Sequence, residues 1–280
     1  MRQTSNPVFR SLPKQKGGYA QFGTGPAAYP GYQIDPYASA PYREAKVSRP
    51  LTIDDVVTKT GLTLAVLSAV AVVSYFLVAA NTALAMPFTL LGAFGGLALV
   101  LIGTFGRKQD NPALVLSYAG LEGLFLGAIS FVLANFTVSS ANAGMLIGEA
   151  ILGTLGVFAG MLVVYKTGAI RVTPKFTRML VAGMFGVLAL MIGNLVLGMF
   201  GVGHGAGLGL RSGGPLAIIF SLVCIGLAAF SFLIDFDAAD QMIRAGAPEK
   251  AAWGIALGLT VTLVWLYIEI LRLLSYFQND

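Results

Sequence analysis

The chain has 280 residues, of which 56% are hydrophobic and 11% charged, and a net charge of +5. A soluble domain carries about 25% charged residues, so an arrangement of one or two soluble domains is excluded. The single cysteine, Cys224, excludes an internal disulfide and a metal-binding cysteine cluster, and basic residues flanking apolar segments explain the positive balance better than nucleic acid does.

Residues 1 to about 50 differ in composition from the rest. Runs such as Gly17-Gly18-Tyr19-Ala20 and Tyr29-Pro30-Gly31-Tyr32 have no helical or strand periodicity and predict a disordered tail. The tail holds seven basic residues: Arg2, Arg10, Lys14, Lys16, Arg43, Lys46 and Arg49. It has no apolar core segment, so no cleavable signal peptide is expected and the first span inserts the protein. Its expected role is a solvated segment that fixes orientation, with its tyrosines available to a partner or to lipid headgroups.

Thr52-Ile53-Asp54-Asp55 reads as a helix start, with Thr52 as N-cap and both acids in the first turn. A hydrocarbon core of about 30 Å takes about 20 apolar residues in a helix. Seven such spans follow, near residues 61–80, 87–105, 113–134, 145–165, 179–200, 215–234 and 252–274. Arg107 and Lys108 follow the second span, and Lys166, Arg171, Lys175 and Arg178 join the fourth to the fifth. The connections after the first and third spans carry no charge, and the one after the fifth has only Arg211 and the sole histidine, His204. This alternation predicts a cytoplasmic N-terminus and an outer C-terminus. The expected fold is an all-α membrane protein, a seven-transmembrane helix bundle over residues 51–280 behind a tail at 1–50. Gly92, Gly95 and Gly96, Gly153, Gly156 and Gly160, and Gly183 and Gly186 are expected to let helices pack closely within the molecule. The glycine-dense stretch 201–214 lacks a Lys-Ser/Thr ending and is a poor phosphate loop.

Ionisable groups within a bilayer cost about 2.5 to 3.5 kcal/mol each, so those present are functional candidates. They are Glu122, Glu149, Asp235, Asp237 and Glu269. Glu122 lies among Gly120, Gly123 and Gly127 and can face the bundle interior, for packing or for function; Glu149 is expected at headgroup level. Glu269 sits in an apolar run with Arg272 on the same helix face, where the two can neutralise each other. Asp237, Asp240 and Gln241 share a helix face, Asp235 points away from it, and Asp240 can pair with Arg244. This acidic stretch is either a functional site or a helix end emerging into water.

Ile234-Asp235-Phe236-Asp237 at the end of the sixth span and Leu266-Tyr267-Ile268-Glu269 in the seventh resemble the Bax inhibitor-one/YccA-like family, also called the transmembrane Bax inhibitor motif family. The resemblance covers about residues 52–277, and Ser5-Asn6-Pro7-Val8-Phe9-Arg10 with the run Leu51 to Thr60 is similar to its actinobacterial branch. It implies a central seventh helix wrapped by the other six and a calcium leak gated by pH. It further implies a carboxylate dyad, with Asp237 (or Asp235) from the sixth span and Glu269 from the seventh, where the family usually has Asp. Two neighbouring carboxylates do not both ionise cheaply and titrate as a unit. Sharing a proton, they would tie the two helices together; deprotonated, they would repel and offer hard oxygen ligands to transient calcium. The spacing allows two registers. A turn at Gly246-Ala247-Pro248 sets Glu269 level with Leu227, whereas an unwound stretch from Pro248 to Trp253 brings it level with Asp237.

An enzyme is not expected. No Gly-x-Gly-Asp segment, no His–Ser pair within the spans and no His-Glu-x-x-His signature is present. No resident cofactor is expected. The expected partners are the lipid bilayer and calcium or other cations, in the bacterial plasma membrane. A proton-coupled carrier would use the same acids. A non-transporting regulator would bind a membrane protease or other complex through the tail.

Overall fold

The computed structural model describes residues 49–136 and 143–278. The expected disorder of the tail falls on residues 1–48, outside the described residues, but Arg49 and Pro50 belong to the folded part. Seven helices follow: α1 (Ile53–Ala80), α2 (Ala85–Phe105), α3 (Pro112–Phe136), α4 (Ala143–Thr167), α5 (Pro174–Met199), α6 (Pro215–Arg244) and α7 (Ala251–Phe277). All seven are long and apolar enough to cross a membrane.

Two helices outrun their apolar spans the furthest, for local reasons. α1 starts at Ile53 with Thr52 as N-cap, as expected, ahead of its apolar span, because Thr52 and Asp55 form a capping box: the Asp55 N–H donates to Thr52 Oγ1 (3.4 Å) and the Thr52 N–H to Asp55 Oδ2 (2.9 Å). α6 runs to Arg244 rather than ending near 234. Its last turns carry the one-turn contacts Gln241–Asp237 (2.6 Å) and Arg244–Asp240 (2.8 Å), which suit a helix surface meeting water.

The most buried helix is α7, packed by α1, α3, α4 and α6. α2 packs on α3, and α5 on α6. Close approach is built from glycine where α3 meets its neighbours. Gly123 and Gly127 face α1, where a Cβ would come within 2.7 Å of the Leu67 carbonyl or 2.6 Å of Ser74 Cβ. Gly92, Gly95 and Gly96 do the same for α2 against α3. The other expected small-residue positions divide. Gly153 touches Ile270 and Gly183 touches Leu227, but Gly156, Gly160 and Gly186 face open space.

The segment before α1 is bonded to the α6–α7 turn. The Leu51 N–H donates to the Ala247 carbonyl (2.8 Å) and the Glu249 N–H to the Arg49 carbonyl (2.9 Å). The Arg49 guanidinium reaches Asp55 (2.6 Å) and Glu249 (3.6 Å). Leu51, 3% exposed, packs in the same apolar cluster as Phe236 and Ala252. Leu51→Ala is expected to lower stability by about 3 kcal/mol through the cavity it leaves. Thermal unfolding of the purified protein in detergent checks this.

Candidate functional site at the α6–α7 seam

The turn between α6 and α7 sets the register of every acid on the seam. Gly246 adopts φ +65°, the left-handed conformation that closes a helix without steric cost. The Ala247 N–H then donates back to the Met242 carbonyl (3.1 Å), the Ala251 N–H donates to the Pro248 carbonyl (2.8 Å), and α7 begins at once. No unwound stretch separates the helices, so the tight-turn register is the one adopted.

In that register Asp235 faces α7. The Thr262 hydroxyl donates to Asp235 Oδ2 (2.7 Å) and also approaches its own Gly258 carbonyl (3.3 Å). Asp237 is turned along α6 and accepts from the Gln241 amide (2.6 Å). Asp240 looks toward α4, accepting from the Tyr165 hydroxyl (3.3 Å) and pairing with Arg244 (2.8 Å). Phe236 packs between these acids against Phe158 and Tyr165 of α4.

Glu269 lies toward the other end of α7, 2% exposed. Arg211 grips it with two parallel bonds, Nη1 to Oε2 (3.0 Å) and Nη2 to Oε1 (2.9 Å), while Arg272 adds a third at 3.3 Å. A bidentate guanidinium is the strong form of this contact. Arg211 comes from the glycine-dense connection between α5 and α6, which folds back over the bundle. At Gly207 (φ +65°) the chain passes against the Asn194 carbonyl too closely for any side chain. The Asn194 side-chain oxygen then accepts from the Leu208 N–H (2.7 Å), and Leu210 is buried beside Phe220.

The expected Asp237–Glu269 pair is therefore not formed. Glu269 stands seven residues beyond Thr262 along α7, and Asp237 two residues beyond Asp235 in the opposite direction. At 1.5 Å per residue the two carboxyls are roughly 13 Å apart along the helix axes. They neither share a proton nor hold one calcium ion between them in this arrangement. Asp235, expected only as the alternative, is the α6 acid that faces α7, and a threonine rather than an acid meets it there. The expected Glu269–Arg272 contact is present, but Arg211 is the main partner.

Glu122 is 8% exposed, between Gly96 of α2 and the Tyr118 side chain one turn earlier. Its Oε2 has no hydrogen-bond partner among the described residues. Glu149 is half-buried near the start of α4. Among the described residues no group of three or more His, Cys, Asp or Glu side chains is arranged to hold a metal ion. The seam thus offers one carboxylate and one hydroxyl between packed helices. That is too few hard oxygens to retain a calcium ion, which takes about six to eight.

No curated protein matches the chain. The family model described as Bax inhibitor 1 like matches residues 6–279, nearly the whole length. The chain is a multi-pass membrane protein that belongs to the Bax inhibitor 1 like family.

Proposed function

We propose that the protein is a pH-sensitive leak for calcium and other cations in a bacterial plasma membrane, with its N-terminus cytoplasmic, and that Asp235 is the gating acid. The observation that supports this is the placement of Asp235 in the α6–α7 seam, bonded to the neutral Thr262 hydroxyl and to no basic side chain among the described residues. A charged carboxylate in that position is costly, and a protonated one is not. With the proton on, the seam is neutral and stays packed. With the proton off, the seam carries an uncompensated negative charge that loosens the packing and draws in a cation. Flux therefore rises with pH. Asp237 and Asp240, at the mouth beside it, gather cations. Glu269, with two arginines on it, anchors the 201–214 connection over the far end of α7. The reading involves no catalytic step and no resident cofactor.

The test is calcium influx into liposomes carrying the purified protein. Influx above that of empty liposomes, larger at the alkaline end of the range from about pH 6 to about pH 8, is expected. One observation favours a second reading, a regulator worked through the tail: the Arg49–Leu51 segment is bonded directly to the α6–α7 turn. No influx at any pH would favour it.

A further inference from the structure

A cavity of about 510 Å³ opens between α1 and α4, bounded behind by α3 and α7. α1 and α4 scarcely touch each other, and the exposed Phe76 and Leu155 stand at its rim. It lies in the half of the membrane in which α1 and α3 end. All four helices are membrane spans, so the medium outside this opening is hydrocarbon. The volume falls within the range of small-ligand sites, about 300–1,000 Å³.

The lining carries no ionisable carboxyl or basic group, but it is not wholly apolar. Ser130 and Tyr267 share one hydrogen bond (2.8 Å), and the Asn135 amide donates to the Tyr75 hydroxyl (3.3 Å). Two hydroxyls that share a single bond leave one O–H unspent, and a Tyr75 oxygen that accepts leaves its own O–H unspent. An unmet donor facing hydrocarbon is costly. The cavity therefore calls for an occupant with a long apolar body and a neutral acceptor oxygen. An anionic or cationic head is unsuited, because nothing in the lining would balance it.

We propose that this cavity binds one acyl chain of a membrane glycerolipid, with the ester carbonyl accepting from Tyr75 and from the Ser130–Tyr267 pair. The site stands apart from Asp235 and does not depend on the leak. The test uses the full-length protein in vesicles of phosphatidylethanolamine and phosphatidylglycerol that contain phosphatidylethanolamine with a diazirine on its acyl chain. After photolysis, adducts mapped by peptide mass spectrometry are expected to concentrate on Tyr75, Ser130 and Tyr267 over Phe94, which faces lipid on α2. In vesicles built instead from the ether-linked analogues, which lack the carbonyl, the bulk lipid should compete less well, so that the ester-linked label gives about ten-fold more cavity adducts. Ser68→Phe, at the exposed mouth, should abolish cavity adducts and spare those at Phe94. The triple variant Tyr75→Phe/Ser130→Ala/Tyr267→Phe should keep cavity labelling but lose the ester preference. Cavity adducts no more frequent than those at Phe94, or equal competition by ester and ether lipids, would overturn the proposal.

Discussion

Glu269→Gln is expected to lower the stability of the detergent-purified protein by about 3–5 kcal/mol, the range for breaking a buried ion pair from one side. Glu269 is the shared counter-charge of Arg211 and Arg272, at 2.9 and 3.3 Å. Glutamine keeps the shape and removes the charge, so two largely buried guanidinium groups lose the counter-charge they share. The loss extends beyond the contact, because Arg211 holds down the 201–214 connection and the buried Leu210 beside it. Arg211→Gln in the same chain removes one of the stranded charges. The double variant should therefore lose clearly less than the sum of the singles, the mark of direct coupling. Thermal unfolding followed by circular dichroism reads both. A loss below about 1 kcal/mol for Glu269→Gln would mean that the site is worth no more than a surface pair.

Gly127→Ala is expected to cost about 3 kcal/mol, at the upper end for overpacking, although it adds a single methyl. That methyl would meet the Ala71 carbonyl and Ser74 Cβ of α1, and the main chain of a packed helix has no alternative rotamer to swing aside. The Ser74 hydroxyl bonded to the Leu124 carbonyl (2.7 Å) fixes the two helices at that separation. Moving α1 outward would also break that bond. Gly156→Ala and Gly160→Ala are the controls. Both face open space on α4, and both should stay within about 1 kcal/mol of the parent, the scale of the Gly-to-Ala helix preference. Equal effects at 127 and 156 would show that the glycines act through helix propensity rather than close approach.

The spans were legible because a bilayer imposes one length and one composition on every crossing, and the α1 start because Thr52 and Asp55 sit at capping-box spacing. The length of α6 was less so. Hydropathy ends where the acids begin, while the helix continues on one-turn contacts that hydropathy does not register. The acids themselves stood out against their apolar surroundings. Their pairing depended on register, and register depended on whether the chain turns tightly at Gly246 or unwinds after Pro248. Both agreed with the spacing; the closed turn with its bond from Ala247 to Met242 decides between them. Thr262 gave no signal, since a threonine within an apolar span bonds its own helix as readily as a neighbour. Arg211 was visible as the lone acid-or-base charge in a glycine-dense stretch. Its partner, 58 positions away, is brought to it by a fold-back that no periodicity encodes.

The most direct test of the gating account is calcium influx into liposomes by the wild-type protein, Asp235→Asn and Asp237→Asn, compared across about pH 6 to about pH 8. Influx through the wild type and Asp237→Asn should rise with pH, while that through Asp235→Asn, neutral at every pH, should stay flat. A rise retained in Asp235→Asn, or lost only in Asp237→Asn, would contradict the gating role of Asp235.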